Sequence, residues 1–334
     1  MHGQNDCTVA HQGTGSVEHA PAAAGDPDMI RIAGGLFRMG SDDHYPEEAP
    51  VHQVHVDAFL MDRTPVTNEA FARFVAASGY VTVAEQAPHP EDYPGADPAL
   101  LVPGSLVFRM PAGAGDPDDW TRWWQFVPGA SWRHPQGHGS DLSGIEDHPV
   151  VHVCHADAAA YAAWAGKALP TEAEWEFAAR GDLDGAAFAW GGDELAPGGI
   201  HRANTWQGRF PMENLAEDGF VGTSPVTAFP ANGFGLLDMI GNVWEWTDDW
   251  YRPRHPAPAA KACCLPRNPR GGTIEDSLEW ANPGLALPRK VLKGGSHLCA
   301  PSYCRRYRPA ARQPQSLDTG SVHIGFRCVR RFTS

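Results

Sequence analysis

The sequence predicts an α+β fold with few helices and much irregular structure. Three observations carry this. Helix signals are confined to three short stretches between residues 67 and 180. Strand-like alternation comes only in brief runs. Residues 181–334 are rich in Gly, Pro, Asn and Trp with no fixed-period repeat, so short strands and long ordered loops dominate there. No linker divides the chain, and one large domain over 29–334 is expected after a flexible leader over 1–28 rich in Ala, Gly, His and Asp.

Taken in order, Ile32 to Met39 alternates loosely around Gly34-Gly35, as a strand and turn would. Val51 to Phe59 sets Val51, Gln53, His55 and Asp57 against His52, Val54, Val56 and Ala58, the pattern of a half-buried strand. Thr67 can cap a helix running to Ser78, with Phe71, Phe74 and Val75 as its buried stripe and Gly79 as its stop. From Glu85 to Gly144 there is little periodicity. That stretch holds Trp120, Trp123, Trp124 and Trp132 and is expected to be a packed excursion that walls a binding groove. Pro149 to Cys154 reads as a short strand and Ala156 to Gly166 as a helix. Thr171 with Glu174 three positions on forms a capping box for a helix to Arg180.

The 334 residues are 42% hydrophobic and 20% charged, ordinary for a globular protein and wrong for a disordered one. A formal net charge of -14 disfavours nucleic acid and anionic membranes as partners. No apolar run approaches the ~20 residues that span a bilayer, and the first residues lack a basic start followed by an apolar stretch. A cytoplasmic location is expected. The seven cysteines, Cys7, Cys154, Cys263, Cys264, Cys299, Cys304 and Cys328, are an odd number without a signal peptide, which argues against a disulfide scaffold.

Cys299 and Cys304 carry the sharpest chemical signal. Two thiolates five positions apart can converge on one soft ion, and soft sulfur selects Cu(I) or zinc. Structural zinc wants four ligands, and no second pair lies nearby apart from the adjacent Cys263-Cys264. Arg305, Arg306 and Arg308 would favour thiolate over thiol. Spacing alone leaves a redox disulfide or two inert thiols equally open. His148, His152 and His155 suggest iron, but alternation does not bring them together, and the structural reading is preferred.

Several segments together resemble the formylglycine-generating enzyme (sulfatase-modifying factor) family of bacterial type. They include Gly34-Gly35-x-Phe37-x-Met39-Gly40, Pro65-Val66-Thr67-Asn68, His148-Pro149-Val150 and Leu169-Pro170-Thr171-Glu172-Ala173-Glu174-Trp175-Glu176. Further on come Asn232-Gly233-Phe234-Gly235-Leu236, Gly241-Asn242-Val243-Trp244-Glu245-Trp246, Lys293-Gly294-Gly295-Ser296 and Gly325-Phe326-Arg327-Cys328. The resemblance covers residues 30 to 330 and implies a low-secondary-structure, C-type-lectin-like fold. The family's catalytic members carry Ser-x-x-Cys-x-x-x-x-Cys-x-Arg-Tyr-Arg, and every element stands here from Ser296 to Arg308.

That resemblance implies an oxidase that converts the cysteine of a Cys-x-Pro-x-Arg segment in an unfolded sulfatase polypeptide into formylglycine, using O₂ and a thiol reductant. Cys299 and Cys304 would hold Cu(I), the substrate thiolate would join them, and a thioaldehyde formed by loss of a Cβ hydrogen would hydrolyse. Ser296 would hydrogen-bond near the sulfurs and Trp244 would wall the site. Calcium is implied twice. One site would use the side chains of Asn204 and Asp218 with the carbonyls of Thr205 and Phe220. The other would use Asp238 and Glu245 with the carbonyls of Gly241 and Val243. Trp123 and Trp124 are expected to form an apolar wall for the substrate.

Departures from the family matter too. The cysteines that secreted members pair are missing: 159–163 has none, Pro309 stands where another would be, and Cys328 lacks its partner. Where the family often has a polar residue before Gly-Phe-Arg, this chain has His323-Ile324. Two rivals are a non-catalytic lectin-like binding module and a non-haem iron sulfoxide synthase. The first needs no cysteine pair; the second needs a His triad and an added helical domain.

Overall fold

The computed structural model describes residues 28–92, 95, 97–113, 119–257, 265–278 and 287–332. The expected leader, apart from Asp28, and Cys7, Cys263 and Cys264 lie outside the described residues.

Local chemistry sets the helices where the sequence puts them. Helix α1 is Asn68–Ser78: Thr67 accepts the Ala70 N–H, and Gly79 closes it at φ 68°. Phe71, Phe74 and Val75 are its buried stripe. Helix α2 is His155–Trp164, and α3 is Glu172–Arg180. The α3 capping box is complete, with Thr171 Oγ1 accepting from Glu174 N and Glu174 accepting from Thr171 N.

Among the described residues, short strands make four small sheets. Strand β1 (Met29–Ile32) pairs antiparallel with β4 (Phe59–Asp62), which also pairs with β11 (Val329–Arg331), so the two ends of the fold close on one sheet. Strand β2 (Gly35–Met39) pairs with β3 (His52–Val56), and the alternating His52, Val54 and Val56 face inward as expected. A hairpin joins β5 (Gly104–Phe108) to β6 (Trp124–Pro128) inside the stretch expected to lack regular structure. The sheet that positions the site has the order β10-β7-β8-β9: Ile324–Gly325, Trp244–Trp250, Arg289–Lys293 and Arg312–Ser316.

The expected strand at 149–154 does not form. Pro149 makes one isolated bridge to Thr67, and His152 has φ 60°, which breaks the alternation a ladder needs. The main core gathers Phe71, Trp132, Trp175, Trp244, Trp246 and Phe326 between α1–α3 and the sheets. A second cluster holds Trp123, Trp206, Phe210, Leu298 and Ala300 beneath the hairpin. No described helix is long and apolar enough to cross a membrane.

Candidate active site

The chain leaves β8 through Gly294 and Gly295, at φ 94° and 73°. A Cβ on Gly295 would come within 2.8 Å of the Arg306 carbonyl, and one on Gly294 within 3.0 Å of the Trp175 ring. Only glycine lets the backbone turn inward this tightly. Ser296 then starts a turn closed by Cys299 N–H to Ser296 O at 2.9 Å, and Cys304 N–H donates to Ala300 O at 3.0 Å. This second turn folds Cys304 back, and the two sulfurs meet at 3.2 Å. Cys299 is buried and Cys304 is partly exposed, both as free thiols.

The two sulfurs are not equivalent. Burial, and the hydrogen bond to Cys304, push the Cys299 thiol well up. Cys304 is pulled down to about 6 by the hydrogen bond from Cys299, against its own burial, with help from the Arg306 charge. These shifts favour a thiol on Cys299 beside a thiolate on Cys304. Arg306 Nη1 lies 3.9 Å from Cys304 Sγ. Glu47 accepts from Arg306 Nη2 at 2.6 Å, and Tyr45 lies under the guanidinium at 3.9 Å. Sequence reading missed Tyr45 and Glu47, which lie some 260 positions upstream of Arg306.

Of the remaining expected residues, Ser296 gathers here, and Trp244 lies in the main core. Ser296 N–H points at Cys299 Sγ at 3.5 Å, and Trp244 is buried in the same apolar cluster as Cys299. Trp123 and Trp124 do not form the expected wall. Trp123 is 1% exposed, with its ring edge-on to Phe210 and Tyr303. It supports the exposed ring of Tyr303, which stacks on Phe210 at 4.5 Å. Trp124 leans on His323 and Phe108. A separate cavity of about 480 Å³ borders Leu298 and His297, just before Cys299, and is lined also by Phe108, Trp206 and Val322.

The pair fits the expected soft ion by its chemistry: two convergent sulfurs, one of them shifted toward thiolate, with a fixed cation beside it. The first expected calcium site also fits an oxygen-seeking cation. Asn204 Oδ1 is buried without a hydrogen-bond partner, and Asp218 lies beside it, taking the N–H groups of Thr205 and Phe220. Gln207 Nε2 covers both the Thr205 carbonyl and Asp218. The second site fits only in part. Asp238 Oδ1 is unpartnered, and burial raises its carboxyl to about 7. Glu245, however, takes Arg327 on both oxygens at 2.7 Å and Trp175 Nε1 at 2.7 Å, so three of its roughly four lone-pair directions are already used. The expectation that Glu245 is a ligand alongside Gly241 and Val243 meets a buried ion pair instead.

His148, His152 and His155 face different partners: Thr223 Oγ1 at 2.9 Å, the Pro135 carbonyl at 2.8 Å and Asp248 at 3.7 Å. Among the described residues no group of three His, Cys, Asp or Glu side chains converges on one point.

A loop-rich fold that presents a buried pair of cysteine sulfurs beside a pinned arginine defines a class, a paired-cysteine site in a sheet-poor scaffold. The chain belongs to the sulfatase-modifying factor enzyme 1-like domain family, whose model matches residues 15–332. It is 57% identical over 303 residues to the formylglycine-generating enzyme of Mycobacterium tuberculosis, covering 90% of this chain and 97% of that one. It is also 39% identical to the inactive C-alpha-formylglycine-generating enzyme 2 of Mus musculus, over 92% of this chain and 86% of that one. Among solved structures it resembles PvdO from Pseudomonas aeruginosa, with 25% identity and a TM-score of 0.57 over 91% and 94% of the two chains. Since the family holds a relative named inactive, activity has to rest on this chain's own residues.

Proposed function

We propose that this chain oxidises the cysteine of a Cys-x-Pro-x-Arg segment in a sulfatase polypeptide to formylglycine, with Cu(I), O₂ and a thiol reductant, in the cytoplasm. The observation that carries the reading is the Cys299–Cys304 pair, held at 3.2 Å beside Arg306, in a close relative of a formylglycine-generating enzyme. The balance is one substrate CH₂–SH plus O₂ plus two electrons and two protons, giving one aldehyde, one H₂S and one water. The substrate supplies two of the four electrons that O₂ takes, and the thiol reductant supplies the other two.

Copper, when bound by Cys299 and Cys304, would supply the one-electron chemistry with O₂ that side chains lack. The chain's own residues do the rest. The turn from Ser296 to Cys304 fixes the two sulfurs, and Arg306 sets a positive charge beside them. The burial of Cys299 and Trp244 keeps bulk water from the sulfur that lies deepest. Tyr303 offers an exposed ring, braced by Phe210 and Trp123, against which an extended substrate can lie. Calcium at Asn204, Thr205, Asp218 and Phe220 is proposed as a pin for loops that have little regular structure.

The test is incubation of the copper-loaded protein with a Cys-x-Pro-x-Arg peptide, air and a thiol reductant, read by mass spectrometry. Aldehyde formation that stops without copper or without O₂ supports the reading. An unchanged peptide under all these conditions overturns it and favours a binding module.

A further inference from the structure

His323 touches Trp244, Trp124 and Ser296. Its backbone carbonyl accepts the Trp244 N–H at 2.9 Å, just where β10 runs parallel to β7 with Ile324 opposite Trp244. Its ring lies 4.8 Å from the Trp124 ring on β6. Its Nδ1 lies 3.1 Å from Ser296 Oγ. The stretch around it is itself fixed by the hairpin: Val322 N–H donates to the Leu106 carbonyl at 3.1 Å, and Ser105 Oγ donates to the Gly320 carbonyl at 3.0 Å.

Ser296 needs such a partner. Its hydroxyl accepts the Leu298 N–H at 3.3 Å, and nothing else in that turn fixes the remaining lone pair or the proton. A free hydroxyl rotor in the turn whose backbone N–H meets Cys299 Sγ can point its hydrogen in more than one direction. We infer that His323 is a positioning residue: it acts through Ser296, fixing the direction of the serine hydroxyl beside the Cys299–Cys304 pair. Whichever ring nitrogen carries the proton, Nδ1 occupies one hydrogen-bonding direction of Ser296 Oγ and leaves one orientation for the rest. Burial pushes the imidazole down to about 3, with the neighbouring charges of His297 and His152 adding to this, so the ring is neutral at working pH and the arrangement does not switch.

The inference rests on the oxidation proposed at the cysteine pair, and two readouts separate its failure from a failure of that reading. The first is nitrogen NMR of the His323 imidazole in the copper-free protein. Ser296→Ala should move the Nδ1 resonance, because it removes the hydroxyl that Nδ1 meets; an unmoved resonance overturns the contact whether or not the protein is an oxidase. The second is turnover of copper-loaded variants on the peptide, with Cu(I) affinity measured by chelator competition. His323→Leu should slow turnover by about tenfold, the loss of one oriented hydrogen bond, with Cu(I) affinity unchanged. His323→Asn, whose amide can meet Ser296 with a similar edge, should recover most of the rate. The Ser296→Ala/His323→Leu double variant should be no slower than Ser296→Ala alone. Wild-type turnover in His323→Leu, no recovery with Asn, or multiplied losses in the double variant would each overturn the proposal. If His323→Leu does not fold, the NMR arm and His323→Asn still decide it.

Discussion

Cys304 and Cys299 sit in one turn at 3.2 Å and still ionise in opposite senses, because one sulfur faces Arg306 and the other faces the core. The thiolate is the reactive form, so alkylation should single out Cys304. With iodoacetamide at pH 7, mass mapping should find Cys304 modified first. Cys154, Cys299 and Cys328, all buried and all pushed up, should stay unmodified. The rate at Cys304 should fall by half near pH 6, where its ionised fraction halves; equal labelling of Cys299 would show the asymmetry to be wrong. Cys299→Ser and Cys304→Ser should each abolish peptide oxidation, because a hydroxyl is a hard donor and a poor ligand for a soft ion. This pair was legible in the sequence because it is local. Its modulator Glu47 was not, since it reaches Arg306 from 259 positions away. No periodicity or spacing encodes such partners.

At the scale of elements, the helices were readable because caps are local chemistry. Thr67, Gly79 and the Thr171–Glu174 box act within a few residues of themselves. The β5–β6 hairpin escaped, since its strands are joined by a long connection and pair through tertiary contacts. The run at 149–154 misled for the opposite reason: its β-branched composition is that of a strand, yet His152 at φ 60° and the docking of Val150 N–H on the Val66 carbonyl use it as a clasp. Thr171→Ala should lower stability by about 1 kcal/mol, seen as a lower urea midpoint with turnover at 25 °C retained. The loops give a sharper contrast. Asp218→Ala should remove most of the rise in melting temperature that calcium gives. Glu245→Ala should destabilise by about 3–5 kcal/mol with or without calcium, because it strands the buried Arg327. If chelation leaves the wild-type melting temperature unchanged, the calcium reading fails; if Glu245→Ala is harmless without calcium, the ion-pair reading fails.

Across the whole molecule, sheets this small are tied together by buried charge. Glu172 takes Arg312 on both oxygens at 2.6 and 2.9 Å, joining α3 to β9. Glu176 takes Lys293, Arg180 and the Gly40 N–H, joining α3 to β8 and to the end of β2. His255 is buried against the same group, its ring 4.9 Å from that of His52. Burial alone would raise both carboxyls, but the charges of Arg312 and Lys293 on Glu172, and of Lys293 and Arg180 on Glu176, outweigh it and hold each at about 2. Burial, with the Arg312 charge, holds the His255 imidazole down at about 3.

All three shifts have one sign. Between the ordinary value and the shifted one, the unfolded chain binds a proton that the folded protein refuses, so stability falls as pH falls. For His255 the window runs from 6.5 down to about 3, and for the two glutamates from 4.5 down to about 2. Urea midpoints measured in chelator from pH 7.5 to 4 should therefore decline in two stages, shallow below 6.5 and steeper below 4.5. His255→Asn removes one of several buried rings depressed in this window, His152, His155, His297 and His323 being the others, and should make the first stage shallower while leaving the second. A His255→Asn slope equal to that of wild type between pH 6.5 and 4.5 would show that the buried imidazole takes its proton without opening the fold.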